Sequence, residues 1–286
     1  MGGDTITVTG SGNGKGSNSP VFIFGDTAQS GSRYSDDPIN PATVSARSFA
    51  NAGNDVIDAS TATAGVVIYG GAGNDTITGS QAGDHLAGGS GDDAIKGEAG
   101  RDHIYGDSGF NVDSAQRLSL SAQLITVVTV VDIEDAINRD SMIAGSDTIY
   151  GGTGSDIILG DHGVIEQLAN TQRFATTESV SSIYTVRHDK GGNDKLHADS
   201  GDNLVFAGQG LDVITATTGN NIVAGDNARA DFTNDRLITL ISTDPDDKTG
   251  GDDSINLGNG YHRIIGGTGT DTITTDTGMD HVIGDH

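Results

Sequence analysis

Aliphatic residues recur every nine positions along much of this chain, and the residues between them are small or polar. In residues 70–78, GGAGNDTIT, the eighth residue is Ile77, and the seventh to ninth residues alternate polar, apolar, polar. That alternation predicts a short strand with one buried face. The first five residues are of the types that tolerate tight turns. Each unit is therefore predicted to be one turn followed by one short strand.

The nine-residue frame holds across separate blocks of the sequence. After residue 70, units begin at residues 79, 88 and 97, and the frame returns at residues 142, 189 and 248. A fixed period shared by many units is the signature of a solenoid. Two units would make one coil, and stacked coils would form two parallel sheets facing a thin aliphatic core. We therefore expect an all-β solenoid.

The sixth residue of most units is an aspartate. These residues are Asp75, Asp84, Asp93, Asp102, Asp147, Asp156, Asp194, Asp212, Asp253, Asp271 and Asp280. Together with the glycines and the aliphatic eighth residue, they resemble the G-G-x-G-x-D-x-U-x repeat of the RTX (hemolysin-type) calcium-binding family, where U is aliphatic. The resemblance covers about two thirds of the chain and is most like the repeat region of a giant bacterial adhesin. A glycine-rich linker has no reason to keep an aliphatic residue in every ninth position.

The resemblance implies a calcium-bound parallel β-roll, or β-helix, that holds several calcium ions through these aspartates. Units two apart would lie on the same side, so each ion would sit between aspartates eighteen residues apart, such as Asp75 and Asp93. One side of the third block offers only Asn203 and Asn221. We expect that side to be metal-free, with amide ladders in place of ions.

Runs of repeats close on an apolar residue followed by Gly-Asp, and the unit that closes a run lacks its usual sixth aspartate. The closing aspartates that we include among the metal ligands are Asp107, Asp161, Asp226 and Asp285. In one hypothesis each completes a final calcium site, so that Asp226 would share an ion with Asp212. In the other, the carboxylate accepts backbone N–H bonds in a turn.

The formal net charge of −25 and the small number of aromatic residues fit this interpretation. The 286 residues include 44 Gly, no Cys and no Trp, so neither a thick aromatic core nor a disulfide framework is possible. So many carboxylates repel one another in a compact state unless cations are bound, and calcium is a suitable counterion. No basic patch exists to meet nucleic acid, and no apolar run is long enough for a transmembrane helix.

Four insertions interrupt the repeats, and the last three are β-rich. We expect either that they cover strand edges and core ends, or that they present a ligand-binding surface. The predicted order is the end of a repeat block (1–28), a loop insertion (29–49), a β-roll block (50–111), a β insertion (112–141), a short β-roll block (142–165), a β insertion (166–188), a β-roll block (189–230), a β insertion (231–247) and a truncated β-roll block (248–286).

We expect a structural protein rather than an enzyme, because no common hydrolase or metalloprotease motif is present. His85, His103 and His281 fall on the outward face of a strand and are expected to be exposed rather than metal ligands. The preferred function is a calcium-binding extender of a large secreted or cell-surface adhesin that folds outside the cell. The alternative is a calcium-dependent secretion and folding domain of a secreted enzyme or toxin. The resemblance also implies type I secretion, and the polar ends suggest that the polypeptide continues on both sides.

Overall fold

The computed structural model describes residues 3–9, 21–26, 53–107, 144–168, 177–244 and 248–284. The predicted insertions at 29–49 and 112–141, and Asp285, lie outside these residues. Strands are numbered in chain order. The described residues contain no helix, and therefore none that could cross a membrane.

The first strand of each coil joins a nine-stranded parallel sheet, sheet A. Its strands in spatial order are β1 (Thr5–Thr7), β3 (Val56–Asp58), β5 (Thr76–Thr78), β7 (Ala94–Lys96), β9 (Thr148–Tyr150), β13 (Lys195–Ser200), β15 (Val213–Thr218), β19 (Ser254–Asn259) and β21 (Thr272–Thr275).

The second strand of each coil joins an equally long parallel sheet, sheet B. Its strands in spatial order are β2 (Val21–Phe24), β4 (Val66–Ala72), β6 (His85–Ser90), β8 (His103–Tyr105), β10 (Ile157–Leu159), β14 (Leu204–Phe206), β16 (Ile222–Ala224), β20 (Arg263–Ile265) and β22 (His281–Ile283).

The core between the two sheets consists of one aliphatic ladder from each. In sheet A, Ile77 lies beside Ile95, and Ile95 beside Ile149, although 54 residues separate the last two. Sheet B supplies the matching row, and most of both rows is fully buried. The expected parallel β-roll is confirmed, and the blocks form one uninterrupted stack.

Two of the insertions build a third sheet, sheet C, which is antiparallel and four-stranded. Its strands are β11 (Gly163–Gln167), β12 (Val180–Thr185), β17 (Ala228–Thr233) and β18 (Arg236–Ser242). The two hairpins meet where Ile183 pairs with Ala230. These insertions leave the roll at Gly163 and Ala228, earlier than the expected positions 166 and 231. Polar and apolar residues alternate in the same way in the short strands of every sheet. The sequence pattern therefore did not show where the chain leaves the roll and enters sheet C.

Sheet C packs on the outer face of sheet B and forms a second apolar core. From the roll this core takes Tyr105, Leu159 and Phe206, and from the insertions it takes Ile165 and Ile183. Much of sheet B is therefore covered on both faces, whereas the described residues leave the outer face of sheet A open.

The expectation that the strand histidines are exposed was wrong for two of the three. His85 and His103 are buried and meet edge to face, with ring centroids 4.8 Å apart. The Nε2 atom of His103 lies 2.9 Å from the carbonyl oxygen of Thr177, in the segment that leads into β12. His281 is exposed, as expected.

Candidate metal centres

The sixth-position side chains form two rows inside the roll, one at each turn between the sheets. The row that precedes sheet A contains only aspartates. Its members are Asp55, Asp75, Asp93, Asp147, Asp194, Asp212, Asp253 and Asp271. The row that precedes sheet B begins with aspartates and then changes. Its members are Asp84, Asp102, Asp156, Asn203, Asn221, His262 and Asp280.

Each row is held by the same hydrogen bond, repeated from coil to coil. The Asp75 N–H donates to Asp93 Oδ1 at 2.7 Å, and the Asp93 N–H donates to Asp147 Oδ1 at 2.7 Å. The second row repeats the contact from Asp84 to Asp102 at 2.8 Å. The structure thus brings together the side chains expected at an eighteen-residue spacing, and it preserves the row where an insertion makes the sequence distance 54 residues.

In nine of the row aspartates the other carboxylate oxygen is buried and accepts no hydrogen bond from the residues that the structure describes. This is true of Oδ2 in Asp55, Asp75, Asp93, Asp102, Asp147, Asp156, Asp194, Asp212 and Asp253. A buried charge without a partner is costly, so a regular row of such atoms calls for a bound cation. This observation carries the metal assignment.

Backbone carbonyl groups complete the oxygen-rich surroundings of these atoms. A methyl group added at Gly88 would collide with both Asp93 Oδ2 and the carbonyl oxygen of Gly106. The two oxygens therefore face the same small space, which only glycine leaves open. Carboxylate and carbonyl oxygens are the ligands that calcium prefers.

Side chains alone do not form a metal cage in this structure. No three His, Asp or Glu side chains converge as a metal site within the described residues. Any ion held here would depend on backbone carbonyl groups for part of its ligand shell. That requirement suits calcium, which takes six to eight oxygen ligands, better than zinc, which takes four nitrogen or sulfur ligands.

Burial and mutual repulsion raise the pKa values of the row aspartates. Burial, followed by the charges of Asp84 and Asp156, raises the pKa of Asp102 to about 9. Burial raises the pKa of Asp93 to about 8, and the Asp75 charge adds to the effect. For Asp147 and Asp194, burial and neighbouring carboxylates raise the pKa well above its ordinary value. In a metal-free roll these carboxyl groups therefore favour the protonated, uncharged form over the ionised one.

The neutral part of the second row satisfies its hydrogen bonds without an ion. The Asn203 N–H donates to Asn221 Oδ1 at 3.0 Å, so the amide keeps the contact that the aspartates make. Asn203 Nδ2 donates to the carbonyl oxygen of Ala198 at 2.9 Å. Where an aspartate would leave an unpaired oxygen, asparagine places a donor that bonds to the backbone. That geometry supports the expectation of a metal-free stretch.

Asp161 and Asp226 adopt the second of the two roles considered for the closing aspartates. Asp226 accepts the Gly251 N–H at 2.9 Å through Oδ1, and Oδ2 accepts both the backbone N–H and the hydroxyl of Thr268. Asp161 accepts the N–H groups of Gly192 and Gln209 at 2.9 and 2.6 Å. Both oxygens of each residue are therefore used by the protein. This geometry favours the turn hypothesis, in which Asp226 acts as a backbone clamp, over a calcium site shared with Asp212.

The clamps join the two ends of each insertion. Asp107, Asp161 and Asp226 lie where the chain leaves the roll, and each accepts an N–H group where it returns, at Gly145, Gly192 and Gly251. Each of these glycines lies two residues before a row aspartate. The clamp thus positions the returning chain in register with the coil that it left.

Asp55 belongs to the first row but was absent from the sequence-based set. It is buried, and its N–H donates to Asp75 Oδ1 at 2.7 Å. The signal was present, since Gly53, Asp55 and Ile57 have the spacing of a repeat. The unit was missed because Asp55 precedes Asp75 by twenty residues instead of eighteen, which places it outside the nine-residue frame.

Comparison with known families agrees with this geometry. The family described as the RTX calcium-binding nonapeptide repeat matches the chain four times, at residues 66–84, 78–113, 144–163 and 188–223. The chain therefore contains RTX repeats. RTX repeats bind calcium and are typical of secreted proteins, which agrees with the oxygen-rich surroundings of the row aspartates. No curated protein and no solved structure matches the chain.

The parallel roll extends beyond the residues that the family match covers. Strands β19 to β22, between residues 254 and 283, continue both sheets in register, and Asp253 and Asp271 continue the first row.

Bound calcium would supply the positive charge that compensates the carboxylates of the row aspartates. The aspartates and the glycine carbonyl groups would hold it, and the clamps would keep the coils in register.

Proposed function

We propose that this chain is an extender segment of a large secreted or surface-attached bacterial adhesin, and that calcium binding outside the cell drives its folding. The observation that carries the proposal is the buried row of unpartnered Oδ2 atoms along the stack. Filling the row with calcium links every coil to the next. A stack of nine strands at a spacing of ~4.8 Å gives a rod about 40 Å long.

We propose no catalytic role for the clustered carboxylates. The clustered carboxylates lie inside the roll at less than 4% exposure for Asp75, Asp93 and Asp102, where no substrate reaches them. Their regular spacing serves a repeated ion better than a single acid–base pair.

A second candidate is the calcium-dependent secretion and folding domain of a secreted enzyme or toxin. Domains of that kind are expected to carry one uninterrupted roll, and the repeats of this chain form several blocks in the sequence. In the structure the blocks stack into one continuous roll. That observation supports the second candidate as well, and the two functions differ in whether the roll carries mechanical load.

Single-molecule stretching between the chain ends tests the extender function. In saturating calcium we expect stepwise unfolding that requires force, and in chelator we expect extension without resistance. Unfolding of the calcium-loaded roll at negligible force would contradict the extender function. Restored folding of an attached secreted enzyme by this chain, with no mechanical resistance, would support the second candidate instead.

A further inference from the structure

On the outer face of sheet A, three consecutive coils carry large side chains at a position where most coils carry small polar ones. The last residue of the short strand segment is polar and small in most coils, as in Thr78 and Thr215. In β7, β9 and β13 the neighbouring residues at this position are Lys96, Tyr150 and His197. The open face therefore carries one local cluster of large side chains.

The tyrosine in this cluster is exposed and held in a fixed orientation. The side chain of Tyr150 lies on the surface, with 39% of the residue exposed. Its ring stacks on the His197 imidazole, with centroids 4.6 Å apart and an angle of 17° between the planes. His197 Nδ1 is 2.8 Å from Thr215 Oγ1, which holds the imidazole in place. The Tyr150 ring is thus held in one orientation at the surface.

The turns that follow these three strands have an unusual backbone. Glu98, Gly152 and Asp199 occupy equivalent positions, as the bridges between the adjacent residues show. Their φ angles are 74°, 92° and 55°. Glycine adopts this left-handed conformation freely and aspartate tolerates it, whereas it is strained for glutamate. The strain at Glu98, at a position where glycine would fit, points to a functional use of this carboxylate.

Together these residues line a groove with a volume of about 370 Å³, which we name the sheet-A groove. Its lining consists of Lys96, Glu98, Tyr150, Gly152 and Asp199. Gly152 lets the middle coil lie close to its neighbour, because a Cβ there would collide with the backbone carbonyl group of Glu98. Asp199 Oδ2 accepts the Gly152 N–H at 3.3 Å, which directs this carboxylate toward the middle coil.

The lining combines an aromatic face, an ammonium donor and two carboxylate acceptors. An anion would meet Glu98 and Asp199, and a cation would meet Lys96. A purely apolar ligand would leave all three charged groups without partners. A sugar ring satisfies every group, because its C–H face stacks on an aromatic ring while its hydroxyl groups both donate and accept hydrogen bonds. We propose that the sheet-A groove binds a neutral carbohydrate.

This proposal goes beyond the structural role of the roll and requires only that the roll is folded. Saturation-transfer NMR on the calcium-loaded chain tests it, with glucose, galactose, mannose, N-acetylglucosamine and lactose as probes. We expect transfer to at least one of these sugars, and Tyr150→Ala should weaken its binding about tenfold or more.

Tyr261→Ala is the matched control, since Tyr261 is also exposed and lies outside the groove. It should bind the sugar as the unaltered chain does. No transfer to any of the five sugars, or equal loss in both tyrosine variants, would overturn the proposal. Displacement of the sugar by the cationic probe methylammonium at equal concentration would also overturn it, because it would show that the carboxylates select charge.

Glu98→Gly and Asp199→Gly separate a binding role from a structural one. Glycine removes the strain of the left-handed backbone, so thermal stability in calcium should be unchanged or higher, while sugar binding falls. Reduced stability together with unchanged binding would assign the two residues to the fold and reject the proposed site.

Discussion

The first-position glycines leave the space into which the row carboxylates point. At Gly88 an added Cβ would collide with Asp93 Oδ2 and with the Gly106 carbonyl oxygen. We expect Gly88→Ala to destabilise the calcium-loaded chain by about 1–3 kcal/mol through overpacking, and to weaken calcium binding. Denaturant unfolding at saturating calcium measures the change.

Gly284→Ala is the control for this prediction. Gly284 has the same position in its repeat, and a Cβ added there meets no atom within 4 Å. Its unfolding midpoint should match that of the unaltered chain. Equal midpoints for the Gly88 and Gly284 variants would show that the first-position glycine is not needed for space.

The raised pKa values predict that acid partly replaces calcium. Burial raises the pKa of Asp75 to about 7 and those of Asp102 and Asp253 to about 9. The metal-free folded state therefore binds more protons than the unfolded state between about pH 4 and 9. Its stability falls as the pH rises through that window. In chelator, we expect more β-structure at pH 5.5 than at pH 8, measured by circular dichroism.

Saturating calcium should remove most of this pH dependence, because the ion rather than a proton then compensates the carboxylates. A calcium-free chain that gains β-structure as the pH rises from 5.5 to 8 would contradict the prediction.

At the scale of elements, the clamp aspartates explain how the roll accommodates insertions. Asp226→Ala removes the acceptor for the Gly251 and Thr268 N–H groups and for the Thr268 hydroxyl. Each buried donor left without a partner costs about 1–3 kcal/mol. We expect a loss in this range or above, measured by denaturant unfolding in calcium. Amide exchange should become faster in the returning coil.

Calcium stoichiometry distinguishes the clamp from a ligand. If Asp226 is a clamp, Asp226→Ala should bind as many calcium ions as the unaltered chain. Loss of one ion would show instead that Asp226 and Asp212 share an ion. Asp276→Ala is a suitable control, since Asp276 is an exposed aspartate of the neighbouring coil. It should change neither stability nor stoichiometry.

The two rows should differ in calcium content. Asn203 and Asn221 complete their hydrogen bonds with backbone groups, and they carry no charge to attract an ion. Asp194 and Asp212, on the opposite side of the same coils, leave Oδ2 unpartnered. Crystals of the calcium-loaded chain should therefore show anomalous density beside the aspartates. Such density between the two asparagines would refute the difference.

At the scale of the whole molecule, calcium binding and folding should be one process. The core is two aliphatic ladders thick, and the formal charge is −25. Extracellular calcium modules bind at ~10⁻⁴–10⁻³ M, and at tenfold excess each site adds about 1.4 kcal/mol. Several sites together are comparable with the stability of a whole domain. We expect a largely disordered chain in chelator at neutral pH that gains β-structure in millimolar calcium.

Circular dichroism during a calcium titration makes this measurement, and magnesium at equal concentration is the control. Magnesium demands a smaller octahedral shell and releases its waters reluctantly, so it should not replace calcium. Full native β-structure in chelator at neutral pH would contradict the coupling.

The repeat alone determined the strands, the core ladders and the row aspartates. Ile77, Ile95 and Asp93 could be placed because a solenoid repeats one local geometry, and a fixed period shows which side chains lie in adjacent coils. The same reasoning missed Asp55, whose unit lies two residues outside the frame.

Contacts between segments distant in sequence were decided by the tertiary structure. No periodic pattern could show that the two hairpins join at Ile183 and Ala230, that His103 is buried, or that Asp226 bonds to Thr268. A carboxylate can accept an amide N–H or bind a cation, and the choice depends on which backbone groups the returning chain brings near. The groove at Tyr150 has the same origin, because its lining comes from three coils that the insertions separate in sequence.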